Sequence, residues 1–235
     1  MTPRQVPSRD SETTPSSDAP LTPSAARDIF GENLPRAERY VDWLSGPGLE
    51  RGLMGPREKP RLWDRHVLNS AAVAQCFVAG ETVIDIGSGA GLPGIPLALA
   101  RPDLSITLVE PLLRRVNFLQ DVVADLGLEM KVIRGRAEED HIIKSVGGAD
   151  AVTSRAVAPL AKLAKWSVPL LRPEGRMLAL KGTSATDELE KDSAELSRMG
   201  LKSARVQTID VPGAEPTWVV MGSYEPPPRA KSRRR

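Results

Sequence analysis

The sequence predicts an α/β protein built on a doubly wound, mostly parallel sheet. Three observations carry this. A β-branched run, Thr82-Val83-Ile84-Asp85-Ile86, enters the glycine-rich turn Gly87-Ser88-Gly89-Ala90-Gly91-Leu92-Pro93-Gly94. The turn opens a helix, Ile95 to Ala100, and the next apolar run, Ser105 to Val109, closes on the acid Glu110. Beyond it, segments of strand and helix period alternate, which is the signature of βαβ units.

The elements follow in order. Ser24 to Leu44 carries Ile29, Leu34, Ala37, Tyr40, Val41 and Leu44 and is expected to form a helical cap on the sheet. After Glu110, the helix Leu112 to Leu126 places Val116, Leu119, Val123 and Leu126 on one face, and Gly127 is its expected C-cap. A third strand, Glu129 to Arg134, leads into Gly135-Arg136-Ala137-Glu138-Glu139, and a fourth, Ala149 to Ser154, ends at Arg155. Helix Val157 to Leu171, bent at Pro169, strand Arg176 to Lys181 and helix Asp187 to Met199 come next. The last two strands, Ala204 to Val211 and Thr217 to Gly222, are separated only by Pro212-Gly213-Ala214-Glu215-Pro216 and should pair as an antiparallel hairpin at a sheet edge. Six parallel strands and one reversed edge strand make a seven-stranded, Rossmann-like sheet, which resembles that of the class I S-adenosylmethionine-dependent methyltransferases. The expected organisation is one domain over residues 23–223, with the cap at 23–79 and the core at 80–223.

Composition narrows the class. A chain of 235 residues can bury a sizeable core in one domain. No apolar run reaches membrane-spanning length and no signal-peptide core is present, so a cytoplasmic protein without membrane attachment is expected. One cysteine, Cys76, forms no internal disulfide and lies in an apolar run, where it reads as inert core. Two histidines and that cysteine lie far apart in sequence, so no metal site is expected. No Gly-x-Ser-x-Gly elbow occurs, which removes Ser88 as a hydrolase nucleophile. Residues 1 to about 22 are rich in Pro, Ser and Thr and should be disordered. The tail from 224 to 235 carries Arg229, Lys231, Arg233, Arg234 and Arg235; it reads either as a contact for RNA phosphates or as a solubilising tail.

Two cofactors compete for the glycine turn. Gly89-Ala90-Gly91-Leu92-Pro93-Gly94 matches G-x-G-x-x-G, and Glu110 lies where a dinucleotide fold places its ribose acid. Asp85 tilts the choice. A carboxylate beside the turn would repel a pyrophosphate. It would attract the sulfonium and ammonium of S-adenosyl-L-methionine, at roughly 4 Å by about 4 kcal/mol before desolvation at an effective dielectric near 20. Asp85 can also cap the loop amides, and the two roles are compatible.

A net charge of +2 does not by itself indicate a nucleic-acid partner. Its distribution says more: Arg51, Arg57, Lys59, Arg61 and Arg65 cluster with His66 and Trp63, opposed by Glu58 and Asp64. The basic groups suit a phosphate backbone, while Trp63 and Val67, four residues apart, are expected to pack inward.

Arg65-His66-Val67-Leu68-Asn69-Ser70, the run from Asp85 to Pro96, Arg114-Arg115-Val116-Asn117-Phe118-Leu119, Ser154-Arg155-Ala156 and Leu180-Lys181-Gly182 together resemble the bacterial small-subunit ribosomal RNA 7-methylguanosine methyltransferases, also called glucose-inhibited division protein B. The resemblance covers roughly residues 24 to 222. It implies S-adenosyl-L-methionine as donor and N7 of a guanine in 16S rRNA, in the small subunit or its assembly intermediate, as acceptor. Gly87 and Gly89 would let the backbone approach the donor, Leu92 would begin the helix beneath it, and Glu110 would accept from its ribose. Ala137 and Glu138 would flank the adenine, although Glu138 also suits a helix first turn. Arg155 would anchor the donor carboxylate or the RNA and is the one catalytic candidate. Arg57, Lys59, Arg61, Arg65, His66 and Lys181 are the RNA candidates. A monomer is expected. A methyltransferase of another RNA, of a protein or of a small molecule, and a non-catalytic RNA-binding assembly factor on the same fold, are the alternatives.

Overall fold

The computed structural model describes residues 19–226. The expected disorder of residues 1–18 and of the basic tail from 227 lies outside them. Residues 19–22 lie against the cap, with the Pro20 carbonyl accepting from the Trp63 indole at 3.2 Å.

The elements run α1 (Ser24–Phe30), α2 (Leu34–Ser45), α3 (Pro47–Glu50), α4 (Leu68–Ala71), β1 (Thr82–Ile86), α5 (Gly94–Ala100), β2 (Ser105–Glu110), α6 (Leu113–Asp125), β3 (Lys131–Arg134), α7 (Asp140–Val146), β4 (Ala149–Arg155), α8 (Leu160–Ser167), β5 (Leu171–Lys181), α9 (Ala185–Arg198), β6 (Leu201–Ile209) and β7 (Thr217–Tyr224). The sheet order is β3-β2-β1-β4-β5-β7-β6. Strands β1 to β5 pair in parallel, and β7 is antiparallel to both its neighbours. The expected seven-stranded sheet with one reversed strand is therefore present. The reversed strand sits one place in from the edge, which β6 forms. Hydropathy explains the order: β7 buries Val219, Val220 and Met221, while β6 is buried only at its ends, Leu201 and Ile209, and carries Lys202, Ser203, Arg205 and Gln207. The polar strand takes the edge, where charge discourages further pairing.

Each sheet face carries its own core. The cap, α5 and α6 bury Tyr40, Leu44, Leu62, Trp63, Ile95, Phe118 and Leu119 on one face. On the other, α7, α8 and α9 bury Ile142, Leu160, Leu163 and Leu196 against Ile84, Ile86 and Val152. Trp63 is core, as its spacing predicts, and Cys76 is buried too. The helix expected over Ser24 to Leu44 breaks at Gly31, whose φ of 49° suits glycine, and a 3-10 turn (Gly31–Asn33) joins its halves. The Asn33 amide then donates to the Leu99 carbonyl, fastening the cap to α5. Pro169 ends the helix after β4 early: α8 gives way to a 3-10 turn (Val168–Leu170), and β5 begins at Leu171 rather than at Arg176. At the end of α6 the Leu128 amide reaches the Val123 carbonyl at 3.0 Å, and Gly127 takes φ 59°, a Schellman closure.

Between β2 and β4 the crossovers diverge from β1, so the carboxyl ends of β1 and β4 form the switch-point crevice of a doubly wound sheet. The glycine turn follows β1 there, and Arg155 closes β4 beside it.

Candidate active site

Strand ends and backbone amides build the first wall. The Gly87 amide donates to the Val109 carbonyl at 2.8 Å. The Gly89 amide donates to Glu110 Oε2 at 2.9 Å, and the Leu112 amide to Oε1 at 3.0 Å. Glu110 is 1% exposed and lies 3.8 Å from an Arg115 guanidinium nitrogen. It clamps the turn after β1 to the turn after β2. Gly87 has φ 69°, and a Cβ there would come within 2.9 Å of both Val157 methyls, so only glycine lets the two segments meet. From the cap, the buried Tyr40 hydroxyl donates to the Ala90 carbonyl at 2.8 Å. These groups enclose a cavity of about 510 Å³ lined by Gly87, Gly89, Leu92, Glu110, Leu112, Arg115, Arg136 and Arg155 among others.

Asp85 requires a correction. It does not line this cavity; its side chain is fully buried. Strand alternation puts it on the Val83 side of β1, under α5. There Oδ2 accepts from the Gly94 amide at 3.1 Å, and Oδ1 has no partner. The capping role is the one the geometry supports. Burial raises its pKa to about 7, opposed by the hydrogen bond from Gly94. A carboxyl so placed makes no direct contact with the cavity; what it holds is the Gly94 amide. Leu92 lines the cavity but precedes α5, which starts at Gly94.

Ala137 is buried, Glu138 is exposed, and neither reaches the cavity wall; their neighbour Arg136 does. The chain turns here because Glu139 takes up the Arg136 amide at 3.0 Å and leads into α7.

Arg155 faces the cap. It donates to the carbonyls of Arg65 at 3.0 Å and His66 at 3.4 Å, to Ser70 Oγ at 3.2 Å and to His66 Nδ1 at 2.9 Å. Burial lowers its pKa to about 10. Since a guanidinium only donates, His66 Nδ1 must accept, which leaves Nε2–H to donate to Glu58 at 2.6 Å. Burial and the adjacent Arg155 charge lower the His66 pKa and keep it neutral. His66 is thus a buried link in a Glu58–His66–Arg155 chain, and it also lines the cavity.

The other RNA candidates divide. Arg57 and Arg65 are exposed, with Arg65 only 3.6 Å from Glu58. Arg61 is paired with Glu215 and lies 4.0 Å from Asp64; Lys59 is partly buried and has a partner. Lys181 is held by Ala158 and Glu188 and lines a second cavity. Sequence reasoning missed Tyr40, Leu112 and Arg136. Leu112 carried a signal, being a large apolar residue two positions after a strand-end acid and 43% exposed. Among the described residues no cluster could hold a metal ion, and no helix is long and apolar enough to cross a membrane.

Comparison with known proteins agrees with this architecture. A putative S-adenosyl-L-methionine-dependent methyltransferase from Methanococcus maripaludis superposes with a TM-score of 0.54 at 16% identity, covering 81% of this chain and 95% of that one. TYW2 from M. jannaschii, solved in complex with AdoMet, gives 0.52 at 17% identity over 67% and 74% of the two chains. These likenesses show the fold. Sequence goes further. Ribosomal RNA small subunit methyltransferase G of Rhodococcus jostii is 56% identical over 211 residues, spanning 90% of this chain and 92% of its own. The protein of the same name from Mycobacterium marinum is 59% identical over 182 residues, 77% and 80% of the respective chains. Residues 33–214 match the family described as GidB, rRNA small subunit methyltransferase G, and the chain belongs to that family.

Proposed function

We propose that this protein transfers the methyl group of S-adenosyl-L-methionine to N7 of a guanine in 16S rRNA of the small ribosomal subunit. One observation carries the reading within the family: a cavity at the switch point whose wall joins glycine-turn backbone to the buried Glu110 carboxylate. The donor fits these residues. Gly87 and Gly89 leave room for close approach, Glu110 keeps lone pairs beyond those taken by Gly89 and Leu112, and Leu112 offers an apolar edge. Bound there, the donor would supply an electrophilic methyl group.

Guanine N7 has a free lone pair and no proton to lose. The protein therefore needs no general base, and its work is placement and alignment of the two reactants. Arg155 serves as a positioning residue in this account: it holds the cap, through Arg65, His66 and Ser70, against the sheet edge that bears the cavity. Arg57 and Arg65 supply the exposed cationic grip on phosphates, which sets register without reading sequence.

Mass spectrometry of nucleosides from small-subunit RNA tests this. RNA from cells lacking the gene should lose one N7-methylguanosine, and the purified protein with donor should restore it to their subunits. Unchanged N7-methylguanosine content would refute the assignment.

A further inference from the structure

A second cavity, of about 330 Å³, adjoins the first and shares Arg155 and Ala156 with it. Its lining includes Asn69, Lys181, Glu188, Glu215 and Trp218. The size lies at the small end of ligand sites. The lining combines an indole with hydrogen-bonding groups of both kinds, which suits a flat heterocycle presented singly rather than a stacked helix.

Lys181 is the informative residue. Its side chain is only 9% exposed, and its ammonium donates to the Ala158 carbonyl at 2.9 Å and to Glu188 Oε2 at 2.7 Å. An ammonium has three donors. Two are taken, and among the described residues none accepts the third. Glu188 is itself fixed, since Ser184 Oγ donates to its Oε1 at 3.1 Å. The pair therefore presents a donor beside an acceptor, held from within the protein. Guanine carries the complementary pattern, the O6 acceptor next to the N1–H donor. Adenine carries the reverse, an amino donor next to an N1 acceptor. We propose that this second cavity receives the acceptor base and that the Lys181–Glu188 pair selects guanine by its O6 and N1–H edge, a proposal that rests on the methyl-transfer reading above.

The test measures competition, by nucleoside 5′-monophosphates, against donor-dependent methyl transfer into small subunits that lack the methyl group. The full-length protein is used. Guanosine and inosine monophosphates share O6 and N1–H and should compete alike, at roughly ten- to hundredfold lower concentration than adenosine monophosphate. Glu188→Met should bring the three within about threefold with its affinity for S-adenosylhomocysteine near wild type, while its melting temperature falls because the Lys181 ammonium loses its counter-ion. Equal competition by adenosine monophosphate in the wild type would overturn the proposal, and that arm needs no variant to fold. So would a folded Glu188→Met protein that kept the preference. Absence of any transfer into subunits by the wild type would instead overturn the parent reading.

Discussion

The glycine turn lines the cavity, and the basic cap segment reaches it through Leu53, Met54 and His66, but the two are built in opposite ways. The turn from Gly87 to Gly94 uses main-chain groups whose partners lie one strand away: Gly87 meets Val109, and Gly89 meets Glu110. The cap segment uses side chains whose partners come from far along the chain. Arg155 reaches His66 across 89 residues, and Arg61 reaches Glu215 across 154. The first kind of site is set by local backbone geometry. The second exists only when separate elements dock, and its charges are largely spent on that docking.

The largest expected effect comes from cutting the cap away from the sheet. Arg155→Ala leaves two carbonyls, a hydroxyl and an imidazole nitrogen without their donor, which should cost roughly 2–4 kcal/mol. The melting temperature should fall by roughly 5–15 °C, with methyl transfer lost in parallel and partly recovered in Arg155→Lys. A variant that melted like wild type would mean that the cap does not depend on Arg155, and the contrast between the two regions would weaken.

Asp85 probes the turn. Its folded pKa of about 7 stands above that of the unfolded chain, so its contribution to stability is full below about pH 4 and is lost as pH rises towards 7. Asp85→Asn keeps an acceptor for the Gly94 amide and removes the titration. Relative to wild type it should gain stability between pH 4 and pH 7, by roughly 2–4 kcal/mol in total, as measured by denaturant unfolding across pH. An identical pH profile for both proteins would show that Asp85 is not held protonated by burial.

Salt dependence separates free from spent cations. Arg57→Ala should lower the slope of log affinity for small subunits against log salt by about 1. Arg61→Ala should change it less and should instead lower stability slightly, by about 0.5 kcal/mol, because Arg61 is paired with Glu215 and Asp64. Equal slope changes would show that the Arg61 pairing opens on the ribosome.

The same contrast decides what was legible in the sequence. Hydrophobic period and turn chemistry are local, so the succession of strands and helices up to β5, the glycine turn, Glu110 and the Gly127 cap could all be read directly. The hairpin was legible too, but the place of β7 inside β6 depends on which strand can bear the solvent edge. The break at Gly31 and the early start of β5 at Leu171 were local signals outweighed by helical period. In the site, Asp85 was read by charge, yet strand alternation sends it under α5. His66 and Lys181 were read as RNA contacts from residue type alone; their partnering with Arg155 and Glu188, on other elements, could not be read from the local sequence. Residue type gave the chemistry available at each position; only docking decided whether that chemistry faced solvent.

The central claim is that the cavity behind the glycine turn binds a methyl donor. Calorimetric titration of the full chain with S-adenosylhomocysteine, with NAD as the competing ligand, tests it most directly. The account predicts one site for the methyl compound, no heat from NAD, and loss of the site in Gly87→Ala, whose Cβ would meet the Val157 methyls at 2.9 Å. Binding of NAD with none of S-adenosylhomocysteine would contradict it.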